Sequence, residues 1–337
     1  MYIPGRMRLL LVAFSPFSRI ASRVKNRLYE QGFRKPERAP LPVISVGNIV
    51  FGGSGKTPLA MEILKRLIER GRKPALVSRG YRGGWEAKGG VLSDGKRLLG
   101  GWREGGDEPY LVARTVPEAG VFVGRDRLAS CRKAAELGFD VVVLDDGFQH
   151  RRLARDFDIV LFLPEEKSAL REPISSLKRA DVVLIEAGSR RLEKAKETVR
   201  RLGREPMMYS VAARGLFDLA GTMEVSPQEL AGRRTIAFCG IARPERFRRE
   251  LRRLGIEPVS FLTFPDHHSY PRRSLEKIVR AGKETGAEAA VTTEKDAVKL
   301  GGAAAAPPLG SLPVYVFRIG LALEAAFEER LNSLLCR

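Results

Sequence analysis

Short apolar, β-branched runs alternate along this chain with longer amphipathic stretches. The runs at 42–47, 74–80, 121–124, 140–146, 158–163 and 181–186 read as strands. Helical periodicity fills 57–70, 108–116, 126–137 and 191–203 between them. Near-continuous apolar strands separated by helices predict a mostly parallel sheet with helices on both faces.

A second series follows, with strands at 234–242, 258–264 and 288–296 and helices near 243–254 and 271–285. It predicts a smaller α/β domain. The runs at 207–213 and 314–319 are spaced to pair as a two-stranded hinge. The expected organisation is a basic arm over 1–40, a larger domain over 41–205, a linker over 206–225 and the smaller domain over 226–337, with 314–319 pairing back into the hinge.

Charge changes the picture. The 337 residues carry a formal net charge of +19, with 44% hydrophobic and 29% charged residues. That composition excludes a disordered chain and a multi-span membrane protein, and it favours an anionic partner. The excess is mostly arginine, scattered, with few aromatics and no zinc-finger or RNP signature, so nucleic acid is not expected. The alternative is a solvated basic surface. Cys131, Cys239 and Cys336 are far apart and odd in number, which predicts idle thiols in a reducing compartment rather than a disulfide framework.

Residues 1–40 hold nine Lys or Arg against Glu30 and Glu37. The apolar run Leu9–Phe14 is far shorter than the ~20 residues of a spanning helix, and Pro16 and further cations argue against a signal peptide. Two readings stand: a basic amphipathic segment on an anionic membrane face, each cation contributing up to about 1 kcal/mol, or a helix packed on its own domain.

Candidate chemistry starts at "GNIVFGGSGKTP" (47–58), between a predicted strand and a predicted helix. This is the context of a phosphate-binding P-loop and implies a P-loop NTPase-like fold. Gly52, Gly53, Ser54 and Gly55 would turn backbone N–H groups around phosphate, Lys56 would reach the outer phosphates, and Thr57 would ligate Mg²⁺. Val50 stands where the first glycine of the pattern belongs, and Gly47 is read as that glycine displaced upstream.

"VVVLDDGFQHRR" (141–152) is an apolar strand ending in Asp145 and Asp146, the form of a Walker-B segment that holds Mg²⁺. Both acids face one ion only if the chain turns there. Gln149 and His150 follow closely enough to orient water or substrate. In "REGGDEPYLVAR" (103–114), Asp107 fits a helix N-cap as well as a functional acid, with Glu108 beside it. His267 and His268 lie in "FPDHHSYP" (264–271); neighbouring side chains diverge, so one at most faces a site. "VTTEKDAVKL" (291–300) fits a base-reading motif loosely and a Thr293–Asp296 cap equally well.

Taken in order, "VGNIVFGGSGKTP", "SRGYRG", "GDEPYL", "GRDR", "DDGFQHRRLARDFDI", "FPDHHSY" and "TTEKDAVKL" resemble the tetraacyldisaccharide 4′-kinase family over about residues 1–320. The resemblance implies two α/β/α domains joined by a two-stranded hinge, and transfer of a phosphoryl group from ATP, with Mg²⁺, to the 4′-hydroxyl of a tetraacyl disaccharide 1-phosphate in lipid A biosynthesis. It also implies a peripheral or N-terminally anchored enzyme on the cytoplasmic face of a Gram-negative inner membrane, with an anionic membrane surface and a lipid substrate as partners and no obligatory protein partner. By the same resemblance Val50 belongs to the family's own loop, Asp107 is the acidic base and His267 its helper.

The expected mechanism places ATP on the P-loop along Lys56. Mg²⁺ is held by Thr57, Asp145 and Asp146 with Glu108, and Asp107 takes the acceptor proton with His267 beside it. Arg79, Arg125, Arg127, Arg151 and Arg152 are unranked candidates for the acceptor's 1-phosphate. The alternative from another class is a P-loop GTPase or metallochaperone-like switch, with "TTEKD" reading guanine.

Overall fold

The apolar runs form strands and the amphipathic stretches form helices, with boundaries within a few residues of expectation. The computed structural model describes residues 20, 22–51, 55–164, 170–300, 309 and 312–335. The chain divides into a larger unit, up to Val211 and again from Leu321, and a smaller one, Ala212–Gly320.

The larger unit holds α1 (22–30), β1 (Val43–Asn48), α2 (Lys56–Glu69), β2 (Pro74–Ser78), β3 (Gly90–Asp94), α3 (Trp102–Gly105), α4 (Asp107–Thr115), β4 (Gly120–Val123), α5 (Arg127–Glu136), β5 (Val141–Asp145), β6 (Phe157–Phe162), β7 (Val182–Glu186), α6 (Leu192–Arg200) and the first part of β8 (Pro206–Asp218). Its strands run β8-β7-β6-β1-β5-β2-β4-β3, all parallel except β3 against β4. Every residue of β1, β2, β5 and β6 is buried, as a sheet covered on both faces requires. One core, around Phe122, Leu128 and Val142, fills one side, and a second, around Phe148, Val160 and Leu177, the other.

α2 buries Leu59, Ala60, Ile63, Leu64 and Leu67, the i, i+3/i+4 stripe that turns a helix onto a sheet. On α2, Arg66 and Arg70 pair with Glu328 of the C-terminal helix α11 (Ala325–Leu335), and Arg70 also donates to Asn332 (2.7 Å). That helix, assigned from sequence to the smaller domain, therefore belongs to the larger unit. Its anchors are charges remote in sequence, which leave no periodic trace.

The smaller unit contains the rest of β8, β9 (Glu224–Val225), α7 (Pro227–Leu230), β10 (Thr235–Cys239), α8 (Pro244–Arg253), β11 (Ser260–Thr263), α9 (Arg272–Thr285), β12 (Ala289–Thr293), α10 (Glu294–Leu300) and most of β13 (Val314–Leu323). Its strand order is β11-β10-β12-β13-β8, and the β10 to β13 part is parallel. The run at 288–296 is half strand and half helix. Thr293 and Asp296 start α10, and the chain cannot stay extended past them. Cys131 and Cys239 are buried and free, and burial pushes the Cys131 thiol up to about 12, as idle thiols should behave. Cys336 lies outside the described residues.

Two positions near the P-loop differ from the sequence reading. Gly47 does not replace the missing loop glycine: it lies inside β1, where an added Cβ would sit 2.5 Å from Phe148 Cβ. Val50 is a core residue, 1% exposed and bridged to Leu170. A glycine there would leave a hole between these layers. Gly47→Ala should therefore lose about 1–3 kcal/mol of stability by overpacking against Phe148. Thermal denaturation in metal-free buffer checks this, and an unchanged melting temperature would contradict the packing.

Candidate active site

The C-terminal ends of β1 and β5 lie side by side, with Val46 opposite Asp145. After β1 the chain leads to Gly55, which caps α2 with φ 87° and offers no side chain to the helix's first N–H groups. A helix start of this kind is a ready anion site. Gly52, Gly53 and Ser54 lie outside the described residues. Thr57 is buried in the first turn.

β5 ends at Asp145, and Asp146 adopts a left-handed backbone (φ 51°). This is the turn on which the sequence reading of two cooperating acids depended. The next residue is stitched back to β1: Gly147 N–H donates to Val46 O at 3.0 Å, and Phe148 is fully buried. A left-handed aspartate is strained by about 1–3 kcal/mol, and such strain persists where the surroundings fix it.

Cations surround Asp146. Lys56 Nζ is 3.4 Å from its Oδ1, and Arg171 Nη1 donates to both carboxylate oxygens at 3.1–3.2 Å. Burial opposes its ionisation, but Lys56 and Arg171 outweigh burial and hold Asp146 well below the usual carboxylate range. Asp145 behaves in the opposite way. It is 5% exposed, takes a 3.3 Å hydrogen bond from Ser78 Oγ, and has a buried Oδ1 with no hydrogen-bond partner. Burial first, then the charges of Glu108 and Asp146, push it up to about 7, with Lys56 and Arg127 pulling the other way. One strand end thus carries one firmly charged and one reluctant carboxylate.

Arg127, at the start of α5, is the buried cation of this group. Its guanidinium donates to Gly124 O, and the charges of Asp145 and Asp146 partly offset the lowering that burial imposes.

Asp107 opens α4. The residue at the N-cap is Gly106, with φ 88° and ψ 156°, a backbone essentially restricted to glycine. Asp107 is therefore inside the helix rather than capping it, which corrects the capping alternative. It is buried, and its Oδ1 accepts from Glu108 N–H at 3.0 Å. Glu108 lies close enough to Asp145 to raise it, and Lys56 acts on both Asp145 and Asp146.

The segment after β5 continues the site. Gln149 Nε2 donates to Asn48 O at 2.8 Å, and Lys25 Nζ donates to Gln149 O at 2.7 Å. Burial, with Arg127 and Lys25, lowers His150 to about 4, so it is a neutral imidazole near pH 7. α1 docks here by polar contacts. Ser22 reaches Arg171 O (3.0 Å), Asn26 reaches Glu172 (3.1 Å), and Arg151 lies over the Tyr29 ring and donates to Asn26 O (3.1 Å). Its outer face exposes Arg23, Val24 and Arg27, with Ile20 one turn earlier and Phe33 76% exposed beyond. Residues 1–19 of the arm lie outside the described residues.

The five arginine candidates now separate. Arg79 and Arg125 are exposed and share Glu86 (2.8 and 3.3 Å); Arg127 is buried beside the acids; Arg151 holds α1; Arg152 pairs with Glu37 at 2.7 Å. Sequence reasoning missed Arg171, Ser78, Lys25 and Asn26. They sit in no phosphate motif; tertiary contacts bring Ser78 to Asp145 and Arg171 to Asp146, and Lys25 and Asn26 of α1 to Gln149 and Glu172.

In the smaller unit His267 is left-handed (φ 63°), and Lys295 Nζ lies 3.3 Å from its Nε2 and 3.3 Å from Asp266 Oδ1. His268 is engaged in packing: its ring stacks on Phe264 (4.8 Å) and its Nε2 meets Ser274 Oγ at 2.7 Å.

Among the described residues no group of three or more His, Cys, Asp or Glu is placed to hold a metal ion. Magnesium needs none, since it is usually held by one or two carboxylates with phosphate and water. The unpartnered Oδ1 of buried Asp145 and the Thr57 hydroxyl are the hard oxygen donors such an ion takes.

A family model described as tetraacyldisaccharide-1-P 4′-kinase matches residues 7–336. A tetraacyldisaccharide 4′-kinase of Syntrophus aciditrophicus is 41% identical over 314 residues, covering 87% of this chain and 84% of that one. Another, of Anaeromyxobacter dehalogenans, is 41% identical over 344 residues, covering 96% and 90%. A crystal structure of LpxK from Aquifex aeolicus in complex with ATP matches with a TM-score of 0.76 at 31% identity, covering 98% of each chain.

The acid pair sets a pH-dependent stability. Asp145 binds a proton more tightly folded, at about 7, than at its ordinary 3.8, so between these values the folded state holds more protons and stability falls as pH rises. Asp145→Asn should therefore raise the melting temperature at pH 8 in chelator. The gain should shrink towards pH 4. A gain independent of pH, or a loss at pH 8, would contradict the burial.

Proposed function

The chain belongs to the tetraacyldisaccharide-1-P 4′-kinase family, and from that premise we propose that it transfers the γ-phosphoryl group of ATP to the 4′-hydroxyl of a tetraacyl disaccharide 1-phosphate, with Mg²⁺, in lipid A biosynthesis. The observation that carries the reading is the grouping of Lys56, Asp146, Arg171 and the half-satisfied Asp145 at a helix N-terminus.

ATP phosphates suit the 52–57 loop. Lys56, released from Asp146 as phosphate arrives, would accompany the outer phosphates. Thr57 and Asp145 would hold Mg²⁺, with Asp146 and Glu108 contributing directly or through water. The ion, when bound, neutralises charge on the phosphate oxygens. Asp107 is the general base proposed for the acceptor hydroxyl. His267, which we propose as a second catalytic group, lies beside Lys295 and Asp266, whereas His268 is packed on Phe264. The protein's part is mainly positioning and charge neutralisation.

The guanine-switch alternative finds no support. Asp296 is fully buried and takes hydrogen bonds from Gly240 N–H (3.0 Å) and Thr293 Oγ1 (2.6 Å), which engages it in the fold.

We further propose peripheral attachment to the anionic cytoplasmic face of the inner membrane through the arm. Among the described residues no helix is long and apolar enough to cross a membrane. The docked inner face of α1 and its exposed Ile20, Arg23, Val24 and Arg27 support a segment lying on a surface.

Transfer of label from [γ-³²P]ATP to purified tetraacyl disaccharide 1-phosphate tests the activity. Wild type should label the lipid, Lys56→Ala should lose about 10²-fold or more of the rate, and Asp107→Ala should lower kcat about 10²–10⁴-fold with ATP KM little changed. Lipid-independent GTP hydrolysis without lipid label would reject the reading. Replacing Ile20, Val24 and Phe33 together by Asp should weaken sedimentation with phosphatidylglycerol vesicles while leaving ATP binding intact. Unchanged sedimentation would reject the role of this face.

A further inference from the structure

The segment "TTEKD" (292–296) has a use in the fold that its sequence does not disclose. Thr293 closes β12, and Glu294 opens α10. Asp296, three residues after Thr293, accepts from the Thr293 hydroxyl at 2.6 Å, and its own N–H lies 3.3 Å from that hydroxyl oxygen, which is a capping arrangement. The carboxylate also reaches across the sheet to Gly240 N–H after β10, at 3.0 Å.

Gly240 in turn grips the loop after β11. Its carbonyl accepts from His267 N–H at 3.2 Å, and an added Cβ there would meet His268 Cβ and Pro265 O at 3.0 Å and Asp296 Oδ1 at 3.2 Å. Lys299, one turn along α10, completes the clasp from below: its Nζ is 3.2 Å from Asp296 Oδ1, and both side chains are buried. The loop held in this way is bent at two non-glycine residues with left-handed backbone, His267 (φ 63°) and Tyr270 (φ 52°). Such a conformation persists only where neighbours over-determine it.

Between Thr293 and Asp296, Lys295 points the other way, out of the clasp. Its Nζ lies 3.3 Å from Asp266 Oδ1 and 3.3 Å from His267 Nε2, while Asp266 N-terminal to the histidine accepts from His267 N–H at 3.1 Å. An ammonium group has three donors and no acceptor. Asp266 Oδ2 is also 3.8 Å from Nε2, but the ammonium is the nearer group and within hydrogen-bond reach; facing it, Nε2 presents its lone pair and the ring proton resides on Nδ1.

We propose that Lys295 fixes the tautomer and ring orientation of His267, and that Asp296 holds the backbone of the loop that carries it, making the 292–296 segment the positioning element for His267. The proposal rests on the reading of His267 as a catalytic group. Lys295 acts through the histidine and is itself a positioning residue.

The test uses the full chain labelled with ¹⁵N-histidine. The chain has three histidines, so His150→Asn and His268→Asn assign the spectrum by subtraction. Long-range ¹H–¹⁵N correlation spectra at pH 8 should show the Nδ1–H tautomer at His267 in the wild type. In Lys295→Met the pattern should move to the Nε2–H tautomer or to an average of the two, and Lys295→Arg, which keeps a donor, should restore it at least in part. In the lipid-transfer assay Lys295→Met should lower kcat about 10–100-fold with ATP KM within about twofold, the mark of misplacement rather than lost binding. An Nε2–H tautomer in the wild type overturns the proposal whether or not the variants fold. So does an unchanged tautomer in a folded Lys295→Met. Full kcat in His267→Ala instead removes the reading on which the proposal rests, independently of the spectrum.

Discussion

Two carboxylates stand at the end of one buried strand, and the charges around them govern what the larger unit can do. Asp145 is buried and Asp146 beside it is only partly exposed, so the two carboxylates repel each other across little water and need cations beside them. Lys56 comes from the P-loop, Arg171 from the segment before β7 and Arg127 from the start of α5. Neutralisation is complete at Asp146 and partial at Asp145. The remaining oxygen of Asp145 is the place where a small hard cation improves the balance. A site built this way is prepared for a polyanion with its metal, because each brings the charge that the other lacks.

That electrostatic arrangement depends on how β1 and β5 are fastened together. Gly47 has no Cβ, which lets Phe148 close against β1, and the Gly147 N–H bond to Val46 fixes the turn. The turn leaves Asp146 left-handed and brings it towards Lys56. Packing and chemistry therefore share residues here. Val50 shows the same economy: it is a P-loop residue by sequence and a core residue by burial.

The smaller unit uses a related device for a different end. A buried aspartate, Asp296, again gathers backbone from separate strands, but its hydrogen bonds are taken up within the protein. The strained loop it secures carries Asp266 and His267, with Lys295 beside both. The Oδ1 of Asp296 has Lys299 Nζ 3.2 Å away, whereas the Oδ1 of Asp145 has no hydrogen-bond partner and is available to a ligand.

The parallel sheet, the strand–loop–helix at Lys56 and the acid-tipped strand were legible because each is local. Apolar runs have a period, and a phosphate loop needs glycines, a lysine and a hydroxyl within a few residues. The motifs that resemble one kinase family were likewise contiguous. Sequence also singled out Asp107 and His267 as candidates by resemblance, but it could not separate Asp107 from a helix cap, since cap and functional acid are spelled alike. The structure removes the cap reading by putting Gly106 at the N-cap. Arg171, Ser78, Lys25 and Asn26, the return of α11 to the larger unit, and the task of Lys295 were decided by contacts between segments far apart in the chain. Such contacts follow from which strand lies beside which, and the period of hydrophobic residues carries no record of that order.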